Sequence, residues 1–163
     1  VAAGRACGLV HAGLHALNSL RIDKAYRQWG HDLSVEDPVL EAGLGFAVAW
    51  DKPGGFIGRE ALLAQREAGI TRRLLQFLIA DPEPLLYHNE PIWRDGAIVG
   101  KVTSGMYGHT LGGAVGMGYV AVPDGGVAGI DGHTYEVEIA GVRYPARASL
   151  KPLYDPASSR LRG

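Results

Sequence analysis

The sequence predicts an α+β fold, in which a helical first third is followed by a compact antiparallel β-barrel or sandwich. Apolar residues recur at helical spacing before residue 70 and alternate at strand spacing after it. The chain has 163 residues, of which 47% are hydrophobic, so it can bury a core of its own. Its 24 glycines indicate many tight turns and close backbone approaches, and both features favour β-structure.

Two helices are predicted in the first part of the chain. Leu14, Leu17 and Leu20 recur every three residues and form one apolar stripe, and Gly30 is the predicted end of that segment. A second helix is predicted from near Gly58 to Ala68, followed by Gly69.

Strand patterns begin after Ile70. Four segments carry them: residues 72–80, 92–99, 115–121 and 137–148. Asp95-Gly96 and Ala140-Gly141 interrupt the second and the fourth segment and predict hairpin turns. Short strands at this spacing are typical of small barrels and sandwiches.

Composition excludes several classes of protein. The 16 Lys and Arg residues are balanced by 17 Asp and Glu, so there is no basic excess for binding nucleic acid. The single cysteine, Cys7, excludes a disulfide framework. Glycines and polar residues interrupt the longest uncharged run, residues 102–123, so no membrane helix is expected. Because the chain begins at Val1 without a leader pattern, we expect it to be a piece of a longer protein.

The chemical motifs are weak. His11 and His15 are four residues apart and would share a helical face, but no third ligand follows at a recognisable spacing, so we expect no metal site. Residues 116–121 match a G-x-G-x-x-A fingerprint, but they lie in a strand pattern with no helix after it. Ser104 lacks the glycine that a nucleophile elbow requires two residues earlier. No catalytic residue is predicted.

Arg21 is the most informative polar residue. A guanidinium can hold a planar heterocycle or a carboxylate through two hydrogen bonds, and the indole of Trp29 offers a stacking face nearby in sequence. The alternative, which the residue pattern alone favours, is a solvated charged face or a structural ion pair of Arg21 with Asp23 or Glu41.

Four segments in order, residues 16–23, 38–44, 56–62 and 100–105, resemble the C-terminal part of the glycine-cleavage T-protein (aminomethyltransferase) superfamily. The resemblance implies a tetrahydrofolate-binding fold. Residues 1–70 would be the end of the α+β folate-binding domain, and residues 71–163 would be the C-terminal antiparallel β-barrel domain.

Finer detail resembles one branch of that superfamily. Residues 18–24 with Trp29, and residues 103–112, look like the folate domain of dimethylglycine and sarcosine dehydrogenases, which carry FAD in an N-terminal domain. The stand-alone T-protein usually has Ser-Pro where Gly108-His109 stands here. The iron–sulfur assembly branch has a cysteine that residues 56–60 lack.

The resemblance also implies roles. Arg21 would contact the folate, Trp29 would line the same pocket and Glu41 would lie close to it. The family's catalytic aspartate is expected upstream of Val1, so this chain would hold one wall of the pocket. The implied partners are folate and the upstream domain, with no nucleic acid and no membrane, and an oligomer is left open.

The branch implies that FAD oxidises an N-methyl amine and that tetrahydrofolate accepts the one-carbon unit, in a bacterial cytoplasm or a mitochondrial matrix. Two alternatives stay open: a piece of a stand-alone aminomethyltransferase, and a non-catalytic interaction barrel.

Overall fold

Six antiparallel strands form a closed barrel in the computed structural model, which describes residues 1–122, 130 and 132–162. The strands are β1 (Arg72–Ile79), β2 (Pro91–Arg94), β3 (Ala97–Gly108), β4 (Gly113–Ala121), β5 (Tyr135–Ile139) and β6 (Val142–Ser149). Their order around the barrel is β1-β4-β3-β2-β5-β6, and β6 pairs with β1 to close it. The predicted α+β fold with an antiparallel barrel is confirmed, and the sandwich alternative is excluded.

Two hairpin turns follow the predicted positions. Asp95 and Gly96 connect β2 to β3, and both have positive φ angles, 50° and 84°. Ala140 and Gly141 connect β5 to β6 with φ angles of 51° and 82°. Such turns match the right-handed twist of the strands they join.

Strand β3 is longer than the sequence pattern indicates. It continues past Val99 to Gly108, through residues that carry no strand alternation. Close approach of β4 explains the glycine at position 100, since a Cβ atom there would lie 1.8 Å from the carbonyl oxygen of Tyr119. The barrel interior is filled by large apolar side chains, among them Phe77, Ile92, Val102, Val120 and Val137.

The helices are α1 (Leu14–Asp23), α2 (Arg59–Ala68) and the short α3 (Ser159–Arg162). Helix α2 ends before Gly69 as predicted. The prediction that the first helical segment reaches Gly30 is wrong. Ala25 takes a φ of 52°, and the backbone N–H groups of Ala25 and Tyr26 bond back to the carbonyls of Ile22 and Arg21, so the helix closes at Asp23.

Helix α1 packs on the outside of β3 and β4 through Ser19, Ile22 and Asp23. Ile22 joins a second, smaller apolar cluster with Val115 and Met117. The leucine stripe therefore faces away from the barrel, and the side chains of Leu14, Leu17 and Leu20 are 78%, 54% and 63% exposed. No helix in the described part of the chain is long and apolar enough to cross a membrane.

Candidate functional site

Arg21 lies on the last turn of α1, where the helix meets the barrel. Its Nη1 donates to Oδ2 of Asp32 at 2.9 Å and lies 3.4 Å from the hydroxyl of Ser104, while its Nε donates to Oδ1 of Asn18 at 2.9 Å. Burial lowers the pKa of Arg21, and the charge of Asp32 partly offsets that effect. The three contacts hold the guanidinium in one orientation.

The ion-pair partner of Arg21 is neither of the two carboxylates expected from the sequence. Neither Asp23 nor Glu41 forms the ion pair; Asp32 does. Asp32 is fully buried, and its carboxylate accepts four hydrogen bonds. Oδ2 accepts from Arg21 and from the backbone N–H of Gln28 at 2.9 Å, and Oδ1 lies 2.5 Å from the hydroxyl of Thr103 and 2.7 Å from that of Ser104. These bonds use the lone pairs of both oxygens.

A β-bulge brings the two hydroxyls together. Consecutive residues of a strand normally point to opposite faces. The register between β3 and β4 shifts between Val102 and Ser104, so Thr103 is the additional residue. Both the Thr103 and the Ser104 side chain consequently reach Asp32.

A cavity of about 260 Å³ opens beside Arg21. Its walls combine the guanidinium, the amide of Asn18, the hydroxyl of Ser104 and the rings of His31 and Tyr87. Hydrogen-bond donors and acceptors beside an aromatic ring suit a flat, polar heterocycle. A pterin has that chemistry, so the residues present fit the edge of a folate.

A second cavity, of about 440 Å³, adjoins the first and shares His31 and Thr103 with it. Arg72, Lys101 and Tyr119 line this cavity. The two cavities follow the line along which the first third of the chain meets β1, β3 and β4.

Glu41 does not pair with Arg21. Its carboxylate accepts from Nε of Arg72 at 2.7 Å and from the hydroxyl of Thr71 at 3.0 Å. Desolvation opposes ionisation of Glu41, but the hydrogen bonds from Arg72 and Thr71 outweigh it and lower the pKa of the carboxyl. Glu41 thus fastens the first third of the chain to the start of β1.

Trp29 lies in the turn that precedes Asp32 and forms an isolated β-bridge with Leu33. Its side chain is 68% exposed. Neither Trp29 nor Glu41 is among the described residues that line the cavity beside Arg21. Of the three residues that the resemblance names, the structure places only Arg21 in the cavity wall.

Sequence reasoning missed Asp32, Thr103 and Ser104 as members of one cluster. Asp32 carries no motif, and its hydroxyl partners are about 70 residues away along the chain. Helix α1 begins after Gly13, so His11 lies before the helix and does not share a helical face with His15. Within residues 1–122, 130 and 132–162, no three potential metal ligands come together.

Comparison with known families and proteins gives concordant matches. Residues 72–155 match the family described as "Glycine cleavage T-protein C-terminal barrel domain", and residues 1–52 match "GCVT N-terminal domain". A structure of glycine cleavage system aminomethyltransferase T from Bartonella henselae superposes with a TM-score of 0.78 at 23% identity, covering 95% of this chain and 45% of that one. That likeness shows the fold.

Two curated relatives match the whole chain. The "4-methylaminobutanoate oxidase (formaldehyde-forming)" of Paenarthrobacter nicotinovorans is 44% identical over 99% of this chain, and the mitochondrial sarcosine dehydrogenase of Homo sapiens is 42% identical over 100% of it. Other relatives are named dimethylglycine dehydrogenase, aminomethyltransferase and pyruvate dehydrogenase phosphatase regulatory subunit. The chain spans about a fifth of the length of the first two, 19% and 18%.

Proposed function

This chain belongs to the glycine-cleavage T-protein family, and on that premise we propose that it is the tetrahydrofolate-binding C-terminal portion of an FAD-dependent N-methyl-amine dehydrogenase. One observation carries the proposal. Two relatives that match 99% and 100% of the chain, at 44% and 42% identity, are named for the oxidation of an N-methylated amino acid.

The cavity beside Arg21 supports the folate part of the proposal. Its guanidinium and the amide of Asn18 would bind and orient the edge of the pterin. Bound tetrahydrofolate supplies nitrogens that accept a one-carbon unit. The role of this chain is to hold that acceptor in place and to exclude water from it, which favours transfer over hydrolysis.

The flavin chemistry is proposed for the longer protein. We place the oxidation of the amine in a domain upstream of Val1, because this chain spans only 19% and 18% of the length of the two relatives named for such an oxidation. The exposed leucine stripe of α1, Leu14, Leu17 and Leu20, is the surface on which we propose that the preceding part of the same chain packs. A location in a bacterial cytoplasm or a mitochondrial matrix is part of the same proposal, and relatives named as mitochondrial support it.

Arg21→Ala tests folate binding. In the complete protein that contains this sequence, titration calorimetry with tetrahydrofolate should give binding at least tenfold weaker than the wild type, about 1.4 kcal/mol. Arg143→Ala is the matched control, because Arg143 lies on β6 with its guanidinium 3.4 Å from the ring centre of Trp93. Equal affinities for the wild type and Arg21→Ala would contradict the proposal.

A non-catalytic interaction barrel is the second candidate, and a specific relative favours it. The protein named pyruvate dehydrogenase phosphatase regulatory subunit is 39% identical over 92% of this chain. Under this candidate, Arg21→Ala would lower the melting temperature without changing the affinity for tetrahydrofolate.

The coding sequence upstream of Val1 separates the dehydrogenase from a stand-alone aminomethyltransferase. The dehydrogenase requires several hundred preceding residues that begin with a strand, a glycine-rich turn and a helix. About 200 preceding residues without that fingerprint would support the aminomethyltransferase.

A further inference from the structure

Asp32 connects α1 and the turn that follows it to β3 and β4, which are distant in sequence. Its carboxylate accepts hydrogen bonds from Arg21 on α1, from the backbone of Gln28 in the following turn, and from the two hydroxyls of the β3 bulge. The side chain of Tyr119 on β4 additionally donates to the backbone carbonyl of Asp32 at 3.0 Å. Because Asp32 is fully buried, these partners replace all of its contact with solvent.

The same contacts fix the direction of the Arg21 guanidinium. Nη1 is occupied by Asp32, by the carbonyl of Tyr26 at 3.2 Å and by Ser104, and Nε is occupied by Asn18. Nη2 has no hydrogen-bond partner among the described residues. This leaves one amino group of Arg21 for a ligand in the cavity that the arginine lines.

We infer that Asp32 is a positioning residue for the ligand site: it holds Arg21 so that Nη2 is directed at the bound heterocycle, and the β3 bulge holds Asp32. The inference rests on the proposed function, because it requires Arg21 to contact the folate. It requires that Asp32 affects tetrahydrofolate binding only by holding Arg21.

A double-mutant cycle tests that claim. In the complete protein, Asp32→Asn should weaken tetrahydrofolate binding about tenfold in titration calorimetry, because a neutral amide does not hold the guanidinium in place. In an Arg21→Ala background the same substitution should cause no further loss of affinity. Two residues that act through one contact give non-additive effects in this way.

Asp155→Asn is the matched control. Asp155 is a carboxylate that also fastens the α1 region to a distant segment, since it accepts from Nζ of Lys24 at 3.1 Å, but it has no contact with Arg21. This variant should lower the melting temperature and leave the affinity for tetrahydrofolate within twofold of the wild type. A loss of affinity equal to that of Asp32→Asn would show that any loosening of α1 has the same effect.

A milder variant serves if Asp32→Asn does not fold. Thr103→Val keeps the shape of the side chain and removes one of the two hydroxyl donors to Oδ1. It should weaken binding about threefold in the wild-type background and have no effect beside Arg21→Ala. The inference is overturned if the Asp32 or Thr103 variant keeps wild-type affinity while Arg21→Ala loses it, or if their losses add to that of Arg21→Ala. If Arg21→Ala itself keeps wild-type affinity, the proposed function fails instead.

Discussion

The pKa values of two buried carboxyl groups, Asp23 and Glu41, are shifted in opposite directions, although burial alone raises both. Asp23 is only 3% exposed, and its Oδ1 has no hydrogen-bond partner among the described residues. Desolvation raises the pKa of Asp23, although Thr110 and His109 partly stabilise the charge. Glu41 accepts hydrogen bonds from Arg72 and Thr71, and these bonds lower the pKa of its carboxyl group. Burial therefore destabilises the charged form of Asp23, whereas the hydrogen bonds of Glu41 more than compensate the same cost.

Asp23→Asn should stabilise the protein. The pKa of Asp23 is higher in the folded protein than its ordinary value of 3.8, so ionisation of this carboxyl lowers the free energy of unfolding. That loss appears as the pH rises from 3.8 through the folded pKa. We expect the free energy of unfolding to increase by about 1 kcal/mol at neutral pH, and by less in acid. Urea denaturation between pH 3 and pH 8 measures this. A variant that is less stable than the wild type at neutral pH would refute it.

Glu41→Gln should have the opposite effect. Because the folded pKa of Glu41 is lowered, its ion pair stabilises the protein above the ordinary value of 4.5, and that contribution is lost as the pH falls through the folded pKa. We expect a loss of about 1 kcal/mol at neutral pH, since Arg72 is partly exposed and screened, and little loss at pH 3. Glu60→Gln is the control, because the Glu60 side chain is 87% exposed. Weaker tetrahydrofolate binding at unchanged stability would instead make Glu41 a ligand contact.

At the scale of elements, local signals predict the turns and the helix ends, and distant contacts decide the rest. Asp95, Gly96, Gly141 and Gly69 are residue types that adopt the positive φ angles found there, so these boundaries are readable from sequence, whereas Ala140 takes a φ of 51° that alanine does not favour. Most of β3 is not readable in this way, because its glycines lie against residues that are distant in sequence. A Cβ at Gly100 would meet the Tyr119 carbonyl of β4, and one at Gly105 would meet Leu86. The cluster around Asp32 depends in turn on a bulge in that strand, and in the sequence only the residue pattern and a family resemblance indicate Arg21.

Gly100→Ala should disrupt the β3–β4 pairing. The added Cβ would meet the Tyr119 carbonyl oxygen at 1.8 Å, which a rigid strand pair cannot accommodate. We expect a loss of about 3 kcal/mol or more in the free energy of unfolding, comparable to severe core changes. Gly13→Ala is the control, because nothing lies within 4 Å of a Cβ there. Similar denaturation midpoints for Gly100→Ala and the wild type would contradict this account of the strand.

At the scale of the whole molecule, polar bonds account for much of the attachment between the first third of the chain and the barrel. Arg72 at the start of β1 pairs with Asp37 and Glu41, and Thr103 and Ser104 of β3 donate to Asp32. Lys24 at the end of α1 pairs with Asp155 in the segment after β6. The apolar contact is the small cluster beneath α1, around Ile22. The large apolar side chains on the opposite face of α1 remain in solvent.

Leu17→Glu should reveal what that face does. Because Leu17 is 54% exposed, the substitution should leave the melting temperature of this chain nearly unchanged. In the complete protein it should lower the melting temperature, if the preceding domain covers the leucines. Val35→Glu, at a position that is 91% exposed and outside α1, should not lower it. An unchanged melting temperature of the complete protein would mean that α1 stays uncovered there.

The closed barrel also constrains the order of folding. The pairs β2–β3, β3–β4 and β5–β6 join strands that follow one another along the chain, whereas closure requires Gln76 of β1 to meet Ser149 of β6. Contacts between distant residues carry the larger loop-closure entropy and form slowly. We therefore expect the hairpins to form early and the β1–β6 seam to form last. The contacts of Asp32 with Arg21, Thr103 and Ser104 need only β3 and the first third of the chain, so they can form before the barrel closes. The wall of the ligand cavity also needs Tyr87, from the segment between β1 and β2.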